Sequence, residues 1–424
     1  MKKCIFVAII FVLLGVIVYV VFFQERYTNE YFYEAGNSSI ESSTYHENGT
    51  WWGYNQSKLM RLDDVVFTYY VDNSDQVNGV ANINNPNLVV LTMINNNGDV
   101  IEFDTLPSSR PANILVDKSR KLVYAIVVEP TMTNDNGSTG KLVVYTYFFD
   151  GVEPIFLERN TIVDHNGSEL ETVNIRIGAT IDDDGNIAIV YGLADASYTF
   201  SMVVQLYDVE NDLWYEESVY MNGVKEPNFY PDIAMKSLND FVIVAVQDNC
   251  VDYNGSCAYL YLRYFIYQDG LWQYDILDDY RDYDNKSDKL TLVEHTEVYL
   301  DSEGIYHLVW RSMAGEQLFH HVHIDENKQL ISRELIIHKD INWLRIVEVD
   351  HIKYFIGHGN NRTQIIDFET LEVLHNDQST QIDGAYFYVF SDGTQIDCLL
   401  LNGNSSTYGD QDDEYISYKR IDLN

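Results

Sequence analysis

Proline, cysteine and basic residues are all scarce in this chain. Its 424 residues include 7 Pro, 4 Cys and 27 Lys plus Arg, against 65 Asp plus Glu. So few prolines argue against a Pro-rich linker or a disordered chain. Apolar and aromatic residues are abundant instead: hydrophobic residues make up 46% of the chain, with 33 Tyr and 19 Phe. Because aromatic residues favour strands, this composition predicts a hydrophobic core built mainly from β-strands.

The shortage of positive charge excludes some classes of partner. Without Lys2 and Lys3, the remaining 25 basic residues face 65 acidic ones, which leaves a formal charge of −40. Such a surface repels nucleic acid and anionic lipid at long range, so neither is expected as a partner. An acidic surface also keeps an extracellular protein soluble.

Several catalytic motifs are missing as well. The chain has no Gly-rich phosphate loop, no G-x-S-x-G and no H-E-x-x-H. Nucleotide enzymes, serine hydrolases with that nucleophile elbow and zinc proteases of that type are therefore not supported.

An apolar segment at the N-terminus is the first long feature that is present. Cys4 to Phe23 is a run of 20 residues without a charge, and as a helix it would span roughly 30 Å, the thickness of a bilayer's hydrocarbon core. The run ends in Val21, Phe22 and Phe23, where a signal-peptidase site needs small residues. We therefore expect an uncleaved signal anchor at residues 1–23 rather than a removed signal peptide. Lys2 and Lys3 would keep the N-terminus in the cytosol and place the rest outside, as in a single-pass type II membrane protein.

The segment after the anchor differs in composition from the rest. Residues 24–57 are rich in Ser, Asn, Glu and Tyr, and we expect them to form a stalk below an ectodomain at residues 58–424. Oligomerisation through the stalk or the anchor is compatible with this layout. The ectodomain would be extracellular, lumenal or on a virion surface.

Covalent modifications follow from the expected compartment. Cys250 and Cys257 bracket six residues, so we predict a disulfide between them, whereas Cys398 lies in an apolar strand pattern and is expected to be a buried thiol. Asn-x-Ser/Thr sequences are more frequent than chance predicts, which indicates a glycoprotein. The nine predicted acceptors are Asn37, Asn48, Asn55, Asn136, Asn166, Asn254, Asn285, Asn361 and Asn404.

A pair of strands around an acidic turn recurs seven times after Lys58. "YLDSEGIYHLVW" and "ATIDDDGNIAIVYG" are two examples, and the turns fall near Asp63, Lys118, Asp183, Leu238, Glu303, His351 and Asp392. Six of these pairs are followed by a second strand, turn and strand, such as "LVVYTYFFDGVEPIFL". Four antiparallel strands per unit, repeated radially, describe a propeller blade.

The repeat therefore predicts an all-β fold, a β-propeller of seven blades, with six blades as the fallback. The seventh unit is incomplete, so we expect a strand from the region that begins "YFYEAG" at Tyr31 to complete it. Two packed β-sandwiches are the alternative architecture.

One face of such a ring is expected to bind a ligand. If the acidic turns mark one face, the opposite face receives the outer ends of the first two strands of each blade. Arginines suit carboxylates and aromatic faces suit sugar rings, although strand-end arginines also brace blades and such tryptophans are often core residues. The predicted face comprises Arg110, Arg176, Asp195, Tyr230, Asp232, Asp248, Trp310, Arg311, Trp343, Arg345 and His358.

The acidic turns resemble those of the sialidase and BNR-repeat propellers. Asp301 to Gly304, Asp182 to Gly185 and Asp392 with Gly393 keep the acidic residue and the glycine of that family's Asp-box, and Asp269, Gly270 and Trp272 keep its tryptophan. These turns do not keep the rest of the motif. The resemblance implies a propeller and a glycoside hydrolase that uses three arginines, a Tyr/Glu pair and an acidic residue. Arg110, before Pro111, matches the first arginine; no other role can be assigned to a residue.

Metal binding is the weaker reading of two further stretches. In "FHHVH", His321 and His323 lie on one side of a strand and His320 on the other, which suits either a transition metal or a pH-sensitive surface. The loop "DDYRDYDNKSD" offers oxygen ligands for Ca²⁺, but it lacks the EF-hand pattern and reads more simply as a solvated acidic loop. No cofactor is expected.

Two functions lead the interpretation of the sequence, and a structural envelope or surface protein with no ligand of its own is a third option. The first is a membrane-displayed recognition protein that binds a glycan or a protein receptor through the predicted face. The alternative is a carbohydrate-active enzyme, a sialidase-like glycoside hydrolase or a polysaccharide lyase, that uses the same face.

Overall fold

The structure is a computed structural model that describes the strands and most of the turns inside each repeat unit. The described residues are 29–33, 57–72, 83–84, 86–109, 111–131, 140–163, 169, 171–172, 174–194, 200–219, 228–248, 259–279, 293–312, 318–325, 327–335, 341–359, 362–377, 386–393, 395–402 and 415–421. The predicted anchor, the Cys250 and Cys257 pair and all nine predicted glycosylation sites lie outside these ranges, so they stay predictions. Within the described ranges, no helix is long and apolar enough to cross a membrane.

The described strands form seven antiparallel sheets. In chain order they are β1 (Asn29–Tyr33), β2 (Met60–Leu62), β3 (Val65–Asp72), β4 (Asn87–Ile94), β5 (Val100–Ser108), β6 (Asn113–Asp117), β7 (Leu122–Pro130), β8 (Gly140–Phe149), β9 (Pro154–Thr161), β10 (Glu171–Thr172), β11 (Asn174–Ile181), β12 (Ile187–Ala194), β13 (Phe200–Asp208), β14 (Leu213–Val219), β15 (Asn228–Ser237), β16 (Asp240–Asp248), β17 (Tyr259–Gln268), β18 (Leu271–Asp279), β19 (Val293–Leu300), β20 (Tyr306–Ser312), β21 (Leu318–Ile324), β22 (Leu330–Leu335), β23 (Trp343–Val349), β24 (Ile352–Gly359), β25 (Arg362–Asp367), β26 (Val373–Asp377), β27 (Tyr386–Ser391), β28 (Ile396–Asn402) and β29 (Tyr415–Ile421).

Each sheet is one blade of a propeller, and the predicted seven-blade architecture is confirmed. Blade 1 consists of β2 to β5, blade 2 of β6 to β10, blade 3 of β11 to β14, blade 4 of β15 to β18, blade 5 of β19 to β22, blade 6 of β23 to β26, and blade 7 of β27 to β29 with β1. Blade 2 has a fifth strand because β9 and the short β10 both pair with β8.

The acidic turns join the first two strands of the blades, and their chemistry is local. Asp301 Oδ1 accepts the backbone N–H groups of Glu303 and Ile305, at 3.0 and 2.8 Å, and Asp182 Oδ1 does the same for Asp184 and Asn186. Such side-chain-to-backbone bonds let Asp initiate tight turns. Gly304 follows with φ of 78°, a left-handed conformation that glycine adopts without steric cost. This pairing is the physical origin of the repeated D-x-x-G pattern.

The hydrophobic core is divided among the seven interfaces between neighbouring blades. Blades 1 and 2, for example, enclose Phe67, Leu91, Val123 and Val143, all less than 2% exposed. The other interfaces have their own clusters, including one between blades 7 and 1. Because every blade buries both faces against neighbours, the ring is closed.

Ring closure is reinforced by the chain's first described strand and by a buried ion pair. β1 pairs antiparallel with β29, from Asn29 opposite Arg420 to Tyr33 opposite Ile416, so an N-terminal strand does supply the outer strand of blade 7. At the blade 7 and blade 1 interface, Arg61 donates from Nε and Nη2 to the two oxygens of Asp397, at 2.7 Å each.

Candidate functional site

An axial cavity of about 190 Å³ lies at the centre of the ring. Its wall is built by the first strand of each blade, or by residues that immediately precede it, and we call these the inner strands. The lining residues are Ser57, Lys58, Leu59, Met60, Leu115, Ala179, Thr180, Ile181, Asp232, Glu297, Val298, Arg345, Tyr388, Val389 and Phe390. All seven blades contribute, so the cavity exists only in the closed ring.

Four ionisable side chains from four different blades meet in this cavity. Lys58 precedes β2, Asp232 is in β15, Glu297 is in β19 and Arg345 is in β23. Each lies four to six residues before the acidic turn that follows its strand. Thr180, Ile181 and Phe390 lie within two residues of their turns. The cavity therefore has a charged half and a less polar half nearer the turns.

The two carboxyl groups also link neighbouring inner strands. Val298 N–H donates to Asp232 Oδ2 and Ile346 N–H donates to Glu297 Oε2, each at 2.9 Å. In blade 2, Asn113 makes the same kind of link: its Oδ1 accepts Ser57 N–H at 2.9 Å, and its Nδ2 donates to Ile177 O at 3.2 Å. Because a neutral amide performs this structural task in blade 2, accepting a backbone N–H does not by itself require an acid at Asp232 or Glu297.

β-bulges set the positions of both carboxylates. The register of β15 against β16 shifts between Phe229 and Asp232, and that of β19 against β20 shifts between Glu294 and Glu297. A bulge bends its strand and redirects side chains, and bulges are common next to active sites. Asp232 and Glu297 are the residues at which regular pairing resumes.

Burial changes the protonation of these acids. Desolvation raises the pKa of Asp232 to about 7, although the N–H groups of Val298 and Ile233 and the charge of Arg345 act against it. Desolvation likewise raises the pKa of Glu297 to about 7, opposed by Arg345 and the Ile346 N–H and assisted by the charge of Asp232. Both carboxyls are therefore divided between neutral and ionised forms near neutral pH.

The cations of the cavity lie beside aromatic rings. Arg345 Nη1 is 3.9 Å from Glu297 Oε1, and its guanidinium carbon lies 5.9 Å from the centre of the Tyr388 ring. Lys58 Nζ lies 5.0 Å from the same ring and 5.7 Å from that of Tyr69. Lys58 is 1% exposed, and burial lowers the pKa of its amine well below the usual value. The arrangement offers a cation, two weak acids and an aromatic face to one small ligand.

Tyr230 lies in β15, two residues before Asp232. It has a left-handed backbone, with φ of 47°, and lies inside the bulge of β15. Although it belongs to blade 4, its side chain packs against the cluster between blades 6 and 7 that includes Trp343 and Phe387. Tyr230 therefore reaches across the axial channel, and strained non-glycine residues of this kind concentrate at functional sites.

The structure brings two residues of the predicted ligand face, Asp232 and Arg345, into the axial cavity. Tyr230 packs against the cluster between blades 6 and 7. Trp343, 6% exposed, lies in the core cluster that Tyr230 contacts. Arg110 and Asp195, and the side chains of Arg176 and Asp248, lie outside the described part.

The other predicted residues of that face are buried between strands. Trp310 donates from Nε1 to Asp278 Oδ2 at 2.8 Å and stacks on His320. Arg311 donates to the backbone oxygen of Asn342 at 3.4 Å. His358 contacts Thr363 Oγ1 at 3.0 Å, and burial lowers its pKa to about 4. Their role toward a ligand stays a prediction.

Sequence reasoning missed Lys58, Glu297, Tyr388 and Phe390. The prediction took residues from the outer ends of the strands, whereas the cavity wall extends from residues just before an inner strand, such as Lys58, to residues near its turn, such as Phe390. Strand alternation gave no signal for them, because consecutive residues line the cavity, such as Lys58, Leu59 and Met60.

The histidines of "FHHVH" are divided as predicted between two sides of β21. His320 stacks on Trp310, with 5.1 Å between ring centres, whereas His321 Nε2 lies 3.0 Å from His307 Nδ1 on the other side. His307 Nε2 in turn lies 3.0 Å from Asp301 Oδ2, which also accepts from Lys353 at 2.8 Å. Among the described residues, no group of three or more His, Cys, Asp or Glu is placed to hold a metal ion.

Comparison with known proteins supports the fold and no family. No family model matches the chain, and no curated protein matches it. A crystal structure of the polysaccharide lyase Uly1 is similar over 94% of this chain and 99% of that one, with 11% identity and a TM-score of 0.55. Two further structures have lower TM-scores. A protein of unknown function from Dyadobacter fermentans is 8% identical, with a TM-score of 0.47, over 94% of this chain and 99% of that one. The β-propeller domain of the Trilobed protease from Pyrococcus furiosus is 9% identical, with a TM-score of 0.43, over 87% of this chain and 100% of that one. At these identities, the likeness to Uly1 shows a shared propeller fold and nothing finer.

Proposed function

We propose that this propeller binds a small carboxylated sugar, as a free acid or as the end of a glycan chain, in the axial cavity. The observation that carries the proposal is the convergence of Lys58, Asp232, Glu297 and Arg345 on one cavity. Ionisable groups are rarely buried without a purpose, and clusters with shifted pKa values in a cleft are candidate functional sites.

The chemistry of the wall indicates the ligand. Arg345 supplies a fixed positive charge for a carboxylate. Tyr388 and Phe390 supply aromatic surface for a sugar ring. Asp232 and Glu297, when protonated, add O–H donors that an anionic ligand can accept from. A cavity of about 190 Å³ holds the volume of roughly six liquid waters, so a single sugar unit is the expected size.

Calorimetric titration with glucuronate and with glucose tests this function. We expect glucuronate to bind the purified protein and Arg345→Gln to weaken that binding by at least tenfold, because loss of a buried charged hydrogen bond costs about 1.5–3 kcal/mol. Arg159→Gln is the matched control, since Arg159 pairs with Glu129 outside the cavity. Equal binding of both sugars, or unchanged binding by Arg345→Gln, would refute the proposal.

A second candidate function is cleavage of an acidic glycan, and the specific observation for it is the pair of carboxyls whose pKa lies near 7. Acids and bases with such values are efficient proton carriers at neutral pH. The likeness to a polysaccharide lyase makes β-elimination the reaction to test first: a proton leaves the carbon next to the carboxylate, a double bond forms, and the glycosidic oxygen departs with a proton. The described cavity wall contains one arginine, Arg345, rather than the three that a sialidase would need.

Incubation with oligouronates separates the two candidates. An eliminase generates an ultraviolet-absorbing unsaturated acid, a hydrolase generates new reducing ends without that absorbance, and a binding protein generates neither. If the site is catalytic, Glu297→Gln should lower turnover by about 10²-fold or more, while retaining an oxygen that can accept the Ile346 N–H.

The predicted surface display is kept as part of this proposal. A single-pass anchor and glycosylated loops would present the propeller outside the membrane to a glycan or a protein receptor. Carbonate-resistant membrane association and a mass shift on N-glycosidase treatment are the expected observations, and a cytosolic, unglycosylated product would refute the display.

A further inference from the structure

The amine of Lys58 is a second basic group of the axial cavity. Arg345 already supplies a positive charge to the same cavity. Lys58 is 1% exposed and lies between the rings of Tyr388 and Tyr69, with Nζ at 5.0 and 5.7 Å from the ring centres. A buried lysine in an aromatic setting resembles the environment in which amines act as nucleophiles.

Other lysines of the chain have different surroundings. Lys353 Nζ lies 2.8 Å from Asp301 Oδ2, and that contact raises the pKa of the amine against the opposing effect of burial. Lys328 Nζ lies 3.1 Å from Asp240 Oδ1. Lys121 has a side chain that is 48% exposed. Burial lowers the pKa of the Lys58 amine well below its usual value, which enlarges the neutral fraction of this amine at pH 7.

The remaining groups of the cavity match the needs of carbonyl chemistry. A neutral amine attacks a carbonyl carbon, and the carbonyl oxygen must then take up protons and leave as water. Asp232 and Glu297 supply carboxyls whose pKa lies near 7, which suits donors of those protons. Arg345 would hold a carboxylate on the adjacent carbon.

We infer that Lys58 is a nucleophile that condenses with the carbonyl carbon of a small oxo acid, such as the open-chain form of a sugar acid, held in the axial cavity. The inference rests on the proposed function, because it uses the same carboxylate site. The nitrogen lone pair forms the C–N bond, the C–O π bond breaks, and a carbinolamine results. The carbinolamine hydroxyl and the N–H proton then leave together as one water, which gives the imine with no change in oxidation state.

Reductive trapping tests the inference on the purified protein. Glyoxylate is the probe, cyanoborohydride converts an imine to a stable amine, and peptide mass spectrometry locates the adduct. We expect labelling of Lys58 at pH 7 to exceed that of Lys121 and Lys353 by at least tenfold. An ordinary lysine has about one amine in several thousand neutral at pH 7, so labelling of an ordinary lysine should rise about 100-fold from pH 7 to pH 9. Labelling of Lys58, whose pKa burial lowers, should rise much less.

Two variants separate this inference from the proposed function. Lys58→Met should abolish the adduct. Arg345→Gln should lower the ratio of glyoxylate adduct to acetaldehyde adduct at Lys58 by at least tenfold, because acetaldehyde has no carboxylate for Arg345 to bind. If acetaldehyde labels Lys58 but Arg345 does not increase labelling by glyoxylate, Lys58 is a nucleophile and the proposed carboxylate site is refuted. If glucuronate binds through Arg345 but neither probe labels Lys58 preferentially, the nucleophile is overturned and the proposed function stands.

Discussion

Arg61 and Arg345 are both buried and both face a carboxylate, yet the two pairs differ in geometry. Arg61 binds Asp397 through two hydrogen bonds of 2.7 Å, and its Nη2 also donates to Tyr418 at 3.0 Å. Arg345 Nη1 lies 3.9 Å from Glu297, beyond hydrogen-bond length. The first pair is a bidentate fork that fastens blade 7 to blade 1. In the second, burial raises the pKa of the carboxyl to about 7, so this group is divided between its neutral and ionised forms at neutral pH.

Ligand affinity should therefore depend on pH through Asp232 and Glu297. Both have a pKa near 7, so they are mostly neutral at pH 6 and mostly ionised at pH 8. An anionic ligand is repelled by the ionised forms, and we expect glucuronate to bind about tenfold more tightly at pH 6 than at pH 8 for each carboxyl that must be neutral. Calorimetry across this range measures the effect. Asp232→Asn and Glu297→Gln each keep an acceptor oxygen and should flatten the profile, and an increase in affinity with rising pH would contradict the assignment.

At the scale of elements, the bulge of β15 places Pro231 against the neighbouring strand β11, and Asp232 follows Pro231 directly. Gly178 of β11 has its Cα close to this bulge: a Cβ added there would lie 2.2 Å from the backbone oxygen of Pro231. Backbone cannot yield as a flexible side chain can, so Gly178→Ala should force the two inner strands apart. We expect a loss of about 1–3 kcal/mol in unfolding free energy, as for overpacked cores, together with weaker ligand binding because Asp232 follows Pro231 directly.

Gly151→Ala is the control for that variant. Gly151 has φ of 99° and nothing within 4 Å of its added Cβ, so this change introduces backbone strain without a steric clash. It should lower stability by about 1 kcal/mol and leave ligand affinity unchanged. Denaturant titration measures the unfolding free energy of both variants, and calorimetry measures their ligand affinity. If both variants weaken binding equally, the bulge of β15 does not position a ligand-binding residue.

The elements themselves were predictable because their determinants are local. Asp301 and Gly304 encode a turn within four residues, and strand alternation encodes which side chains are buried. The bulges were not predictable, because a register shift such as that between Glu294 and Glu297 depends on the partner strand β20. A shift of one residue moves a side chain to the other face, so reasoning from strand ends found Asp232 and Arg345 but missed Glu297.

At the scale of the whole molecule, the axial cavity depends on a ring held closed partly by β1. The sequence indicated seven units and an incomplete last one, but the strand that completes it lies almost 400 residues away in the chain, so no local pattern could specify its register. β1 contributes five cross-strand pairs, from Asn29 opposite Arg420 to Tyr33 opposite Ile416. At roughly 0.2–1 kcal/mol per pair, these contribute about 1–5 kcal/mol.

Two truncations that differ only in β1 test this closure. A chain that begins at residue 29 keeps the strand, and one that begins at residue 34 lacks it. Both lack the predicted anchor at residues 1–23. Because β29 loses its outer partner in the shorter chain, we expect a lower Tm and faster amide exchange in β29. Amide exchange in the inner strand β15 should become faster only by the amount that the loss of global stability accounts for. Since all seven blades line the cavity, weaker glucuronate binding by the shorter chain is expected as well. Equal Tm and equal exchange in the two chains would show that blade 7 closes the ring without β1.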